Sequence, residues 1–244
     1  MTPRILVFQH ASYCPPGTFG DHLATDGIDP TIVELNRGGE IPDLESFDIL
    51  MVLGGPMDVW EEETHAWLTQ EKSAIRRWVE ELDKPYLGVC LGHQLLADSI
   101  GGQVGVAEKP EAGLHEIEIT GAGRRHPLFS GFGPSKRAVQ WHGAEVKSVP
   151  RHALVLASTA NCPVTAFGVG SAAFGIQYHV EATDDLVGEW GSGPPSSTLI
   201  ERLHGSGAAP RFHAEVIAAM PELRSNSRRL YDNFMGIARR RLAR

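Results

Sequence analysis

Tyr86-Leu87-Gly88-Val89-Cys90-Leu91-Gly92-His93-Gln94-Leu95-Leu96 holds two different periodicities back to back. Tyr86 to Val89 is a short apolar run entered through Lys84-Pro85, a pair that stops any helix before it, and it reads as a buried strand. From Leu91 the spacing becomes helical. Leu91, Leu95, Leu96 and Ile100 turn inward, and Gly101-Gly102 supplies a left-handed stop. Cys90 stands at the junction. A sharp strand-to-helix turn lifts its side chain above the sheet, where free N–H groups and the positive end of the helix dipole favour a thiolate and a nearby oxyanion. Gly88 and Gly92, two residues to either side, are the small flanks that a nucleophile turn needs. A buried cysteine between packing glycines is the competing reading, so the turn requires a partner before it carries chemistry.

Upstream, the spacing predicts a helix over residues 64–83, with Ile75, Trp78, Val79 and Leu82 on a packed face and Glu71, Lys72, Arg76 and Glu80 in water. Residues 5–8 and 49–53 read as buried strands, so strand, helix and strand follow as a right-handed parallel crossover. Downstream, residues 116–120, 153–157, 165–167 and 172–177 read as strands joined by short turns, an antiparallel extension of the sheet. Past Glu181 the pattern is helical again, with a Gly/Ser/Pro-rich loop at 191–197 and helices over 211–220 and 223–243. With no repeat and no long linker, residues 1–244 are expected to form one domain, its core in 1–182 and a helical part in 183–244.

The partner to Cys90 is found in Gly175-Ile176-Gln177-Tyr178-His179-Val180-Glu181. Residues two apart in extended chain share a side, so His179 and Glu181 are expected to lie together at a strand end. A carboxylate beside an imidazole fixes its tautomer and stabilises the imidazolium formed when a thiol gives up its proton. A third segment, Leu53-Gly54-Gly55-Pro56-Met57-Asp58, follows another strand and lets backbone approach a ligand closely. Its Gly55 N–H, paired with that of Leu91, could hold an oxyanion.

Composition excludes several classes. The net charge of −8, from 30 acidic against 22 basic residues, leaves no footprint for nucleic acid. Arg239, Arg240, Arg241 and Arg244 close a helical pattern, where cations suit the dipole. No stretch approaches the roughly 20 apolar residues of a membrane span and no leader is read, so no membrane partner and a cytoplasmic location are expected. Three cysteines, Cys14, Cys90 and Cys162, are too few and too irregular for a disulfide framework or a zinc site. His10, His65, His93, His115 and His142 show no regular metal-ligand spacing, and neither a metal nor an organic cofactor is expected.

The three segments, in this order, resemble the class I, or triad, glutamine amidotransferases, especially small stand-alone members similar to the glutaminase domain of GMP synthase. The resemblance covers the first strand to about Glu181. It implies an α/β, flavodoxin-like, doubly wound and mostly parallel sheet with an antiparallel extension. It implies Cys90, His179 and Glu181 as the triad that hydrolyses the γ-carboxamide of glutamine, and Gly55 with Leu91 as oxyanion hole. Gly54, Gln94 and backbone groups near Trp141, Gly143 and Ala144 would contact substrate. Val180 replaces the usual proline between histidine and glutamate, and Ala144 stands where an aspartate is often found. The leaving group stays open: ammonia destined for a synthetase partner, or the amine of another γ-glutamyl amide or peptide cleaved by the chain alone. A catalytically idle regulatory or binding role is a third reading, against which the intact triad counts.

Overall fold

In a computed structural model, which describes residues 2–191 and 196–243, the apolar runs at 5–8, 49–53 and 86–89 are the centre of a nine-stranded sheet. They form β1 (Ile5–Gln9), β3 (Ile49–Val52) and β4 (Tyr86–Val89), and a short strand β2 (Thr31–Glu34) lies between the first two in sequence. Helix α1 (Thr18–Thr25) links β1 to β2, α2 (Trp67–Arg76) precedes β4, and α3 (Leu91–Ser99) follows it. The next strands are β5 (Gln103–Ile119), β6 (Ser135–Ser148), β7 (Leu154–Ser158), β8 (Ala166–Val169) and β9 (Ala173–Ile176). The C-terminal part holds α4 (Asp184–Gly191), α5 (Ser196–His204) and α6 (Ala208–Leu242).

The sheet order is β2-β1-β3-β4-β9-β8-β7-β5-β6. Pairing is parallel from β2 through β9 and antiparallel from β9 to β6, so the sheet is mixed in equal parts rather than mostly parallel. Both faces are covered. Ile5, Val7, Ile49 and Met51 pack under Phe19 and Leu23 of α1 and Leu230, Tyr231 and Phe234 of α6. The alternate residues Leu6, Phe8, Leu50 and Val52 pack under Leu68, Ile75, Leu91 and Leu95 of α2 and α3. This period-2 division is why the central strands are apolar throughout.

Four further expectations need correction. Glu71, expected in water, is fully buried with its Oε1 2.9 Å from His10 Nε2. It lies one turn before Ile75 on the apolar face, and its charge obscured a position that the periodicity assigned inward. The helix expected over 64–83 starts at Trp67, and its last turn, Arg77–Glu81, widens to π geometry. The two C-terminal helices are one, because Pro221 sits inside α6. A mid-helix proline costs about 3 kcal/mol, which the buried Val216, Met220, Leu230 and Phe234 on both sides of it offset. Residues 103–119 and 135–148 are two long strands paired with each other, their mixed polar sequence having given only residues 116–120 as strand. Of the loop expected at 191–197, residues 192–195 lie outside the described residues.

Candidate active site

Cys90 caps the N-terminus of α3 with φ 51° and ψ −102°, a conformation that costs a non-glycine residue about 1–3 kcal/mol. The surroundings fix it. A Cβ on Gly88 would lie 2.3 Å from Gly92 O, and one on Gly92 would lie 2.2 Å from Val52 O, so neither flank tolerates a side chain. The Cys90 N–H donates to Ile176 O at 2.8 Å, tying the turn to β9. Its thiol sits at the wall of a cavity of about 250 Å³ that His179, Trp141, Gly143 and Gly55 also line.

His179 lies past the end of β9, not on it. The strand stops at Ile176, and a single antiparallel bridge to Val139, with His179 N–H donating to Val139 O at 2.8 Å, holds the histidine against β6. Residues 180–181 form a turn that brings Glu181 Oε1 to 2.7 Å from His179 Nδ1. Burial alone would strip the imidazole of its charge. The Glu181 carboxylate and the neighbouring Cys90, to which the ring is also hydrogen-bonded, outweigh that and raise His179 to about 10. The electrostatics therefore favour an imidazolium facing the sulfur.

Gly54 and Gly55 follow β3 and complete this wall. A Cβ on Gly54 would come within 3.2 Å of His179 Cε1 and 3.5 Å of Cys90 Cβ. Leu91 is the first residue of α3, where a backbone N–H has no partner within the helix. On the far side, the segment from Trp141 to Ala144 comes from the middle of β6. The amide of Gln94 is committed inside the protein, donating to Ala144 O at 3.1 Å and to Gln177 Oε1 at 3.1 Å.

Several residues escaped the sequence reading. Gln177, fully buried, has its Oε1 taken by Gln94 and so presents Nε2 to Cys90 Sγ at 3.7 Å. A lone amide in an apolar strand was the available signal. Trp190 of α4 packs its ring 4.5 Å from that of His179, and Trp141 reaches both Trp190 and Phe212 of α6. Tyr13 adds a further aromatic wall. Only the tertiary fold brings Trp190 and Tyr13 to the site.

A second Cys/His/Glu group lies behind the first. Glu111, His142 and Cys162 place ligand-type atoms within 4.8 Å of one another, all buried. His142 Nδ1 donates to Ala144 O at 2.9 Å, while its Nε2 meets Glu111 Oε2 at 3.2 Å. Thr159 donates to the other carboxylate oxygen at 2.8 Å, and the Cys162 thiol points to Val164 O at 3.7 Å. Both ring nitrogens of His142 thus face oxygen atoms, and no lone pair is left to take a proton from Cys162.

A strained cysteine at a strand–helix junction, facing a histidine–carboxylate pair across a cavity, is equipment for thiol-dependent acyl transfer. The chain belongs to the class-I glutamine amidotransferase family, which matches it over residues 21–189. That family's reaction is hydrolysis of the side-chain amide of glutamine with release of ammonia. The chain is 37% identical over 142 residues to the amidotransferase component of the two-part, glutamine-hydrolyzing GMP synthase of Saccharolobus solfataricus, covering 58% of this chain and 71% of that one. It is 30% identical over 148 residues to the glutamine amidotransferase-like protein YfeJ of Salmonella typhimurium, covering 60% of this chain and 62% of that protein. A glutamine amidotransferase crystal structure from Thermotoga maritima superposes with a TM-score of 0.85 at 23% identity, covering 96% of this chain and 98% of that one. The fold likeness therefore takes in most of the C-terminal helices, which the family match leaves out.

Proposed function

We propose that this chain hydrolyses the γ-carboxamide of glutamine, with Cys90 as nucleophile, His179 as acid and base, and Glu181 as the group that orients and charges His179. The observation that carries the reading is the shared cavity onto which the strained Cys90 turn and the His179–Glu181 pair both open. The Cys90 thiolate adds to the amide carbon, and the N–H groups of Gly55 and Leu91 receive the oxyanion. The His179 imidazolium passes its proton to the departing nitrogen, leaving a γ-glutamyl thioester. Neutral His179 then takes a proton from water as the water attacks the thioester, glutamate leaves, and the thiolate–imidazolium pair is restored.

Backbone groups of Trp141, Gly143 and Ala144, with Gly54 and Gln94, are assigned to the glutamyl end of the substrate. Ala144 offers no carboxylate to the α-amino group, so recognition there rests on backbone carbonyls. Residues 1–244 act as one domain, since Trp190 and Phe212 of the C-terminal part pack on His179 and Trp141 of the core. The released ammonia goes to a separate synthetase, the arrangement that the GMP synthase relative suggests. A second reading, cleavage of other γ-glutamyl amides by the chain alone, is favoured by the aromatic wall beside His179, where a substituted leaving group would rest.

Glutamate release by the purified chain, measured on glutamine and on a panel of γ-glutamyl amines and peptides with Cys90→Ala as blank, tests both. Release confined to glutamine supports the ammonia donor. Faster Cys90-dependent release from a substituted amide selects the second reading, and release that survives Cys90→Ala overturns both.

A further inference from the structure

His10 is fully buried directly after β1, outside the triad, and three groups hold its ring. Its Nδ1–H donates to Gly54 O at 3.1 Å. Its Nε2 meets Glu71 Oε1 at 2.9 Å, with both side chains wholly out of solvent. Its face stacks on Trp67, ring centroids 5.4 Å apart and planes 16° from parallel. Trp67 and Glu71 are one turn apart on α2, so a single helix grips the ring by face and edge. Burial works against charge on His10, yet the Glu71 carboxylate and the Gly54 carbonyl raise its affinity for the proton above the ordinary value. A buried ion pair of this kind is a weak source of stability, because desolvation of both ions offsets their attraction. Its place in the fold suggests another use.

The carbonyl that His10 holds belongs to the Gly54–Gly55 peptide. In a planar trans peptide the C=O and the following N–H point in opposite directions. Holding Gly54 O toward His10, below the loop, turns the Gly55 N–H the other way, toward the cavity that Gly55 and Cys90 line. Two glycines in succession leave this peptide free to rotate unless something outside the loop fixes it. We propose that His10 and Glu71 are positioning residues that lock the Gly54–Gly55 peptide with its N–H aimed at the developing oxyanion, so that the oxyanion hole stands formed in the isolated chain. This rests on the assignment of Cys90 as nucleophile and of Gly55 as oxyanion donor.

A preorganised donor acts on the transition state more than on bound substrate, so its loss appears in kcat rather than in KM. His10→Leu is expected to lower kcat on glutamine about 10- to 100-fold, approaching the loss found when an oxyanion donor is removed, with KM within about threefold. Alkylation of Cys90 by chloroacetamide needs no oxyanion hole, and its rate in His10→Leu should stay within about twofold of the parent. His10→Asn, which can offer an amide N–H near the position of Nδ1, should recover most of kcat. Glu71→Gln should give an intermediate loss and carries the test if the leucine variant does not fold. Unchanged kcat in folded His10→Leu and Glu71→Gln overturns the lock. So does a parallel fall in kcat and alkylation, which marks a merely structural role. If glutamate release survives Cys90→Ala, the nucleophile assignment itself fails, a result distinct from either.

Discussion

Two Cys/His/Glu groups occupy this molecule, and residue type does not tell them apart. Cys90, His179 and Glu181 meet at a cavity wall, with the cysteine strained onto a helix N-terminus and the histidine hydrogen-bonded to carboxylate and sulfur. Glu111, His142 and Cys162 lie in the interior, with the histidine bridging a carboxylate and a backbone carbonyl and the thiol directed at another carbonyl. The first group leaves a ring nitrogen and a cavity for a reaction to use. The second consumes its hydrogen-bonding capacity in holding the segment that follows Trp141. Proximity of nucleophile, base and acid is thus not sufficient; what matters is whether the base still has a nitrogen to offer the sulfur and the nucleophile a place to attack.

The largest expected difference between the two groups is in their cysteines. Cys90→Ala should lower kcat/KM on the order of 10⁴-fold or more, whereas Cys162→Ala should change it less than about threefold and cost roughly 1 kcal/mol of stability from lost packing. Steady-state kinetics alongside thermal unfolding of both variants reads this directly, and comparable activity losses would erase the distinction.

The carboxylates come next. Because Glu181 raises His179 to about 10 from an ordinary value near 6.5, the imidazolium should persist through neutral pH, and the alkaline limb of kcat/KM should lie near pH 10. The same shift contributes stability that is fully present below about pH 6.5 and is lost as pH rises through about 10. Glu181→Gln should lower kcat about 10²- to 10⁴-fold, by analogy with loss of the orienting acid in a serine triad, and move the alkaline limb downward. A limb left at pH 10 in that variant would assign the shift to another group.

The smallest effect belongs to Glu111. Glu111→Gln weakens the grip on His142 and loosens the Trp141–Ala144 segment, so KM for glutamine should rise by about tenfold or less while kcat holds. A fall in kcat with KM unchanged would place Glu111 in the chemistry and collapse the comparison.

Local pattern made the first group legible in the sequence. The change from apolar run to helical spacing places Cys90 on its turn, and His179 with Glu181 follows another apolar run closely enough for their pairing to be expected. The means of pairing was not legible: the strand ends early, and a turn, not extended chain, brings the carboxylate to the ring. Gly54 and Gly55 were readable as a loop, but the clamp on their peptide joins His10 to Glu71 across 61 residues, a separation no local pattern spans. Trp190 reaches His179 only because α4 folds back over the site, and β5 with β6 is long and polar enough to hide its period. Among the described residues no helix is long and apolar enough to cross a membrane.

Peptide-resolved mass spectrometry after brief exposure to a glutamine-shaped chloroketone tests most directly whether Cys90 alone is activated. Burial pushes the Cys14 and Cys162 thiols up to about 12, so both should stay protonated at neutral pH. One label per chain is expected, on Cys90, blocked by excess glutamine and greatly slowed in His179→Ala. Labelling of Cys162 in the folded protein at a rate matching Cys90 would contradict it.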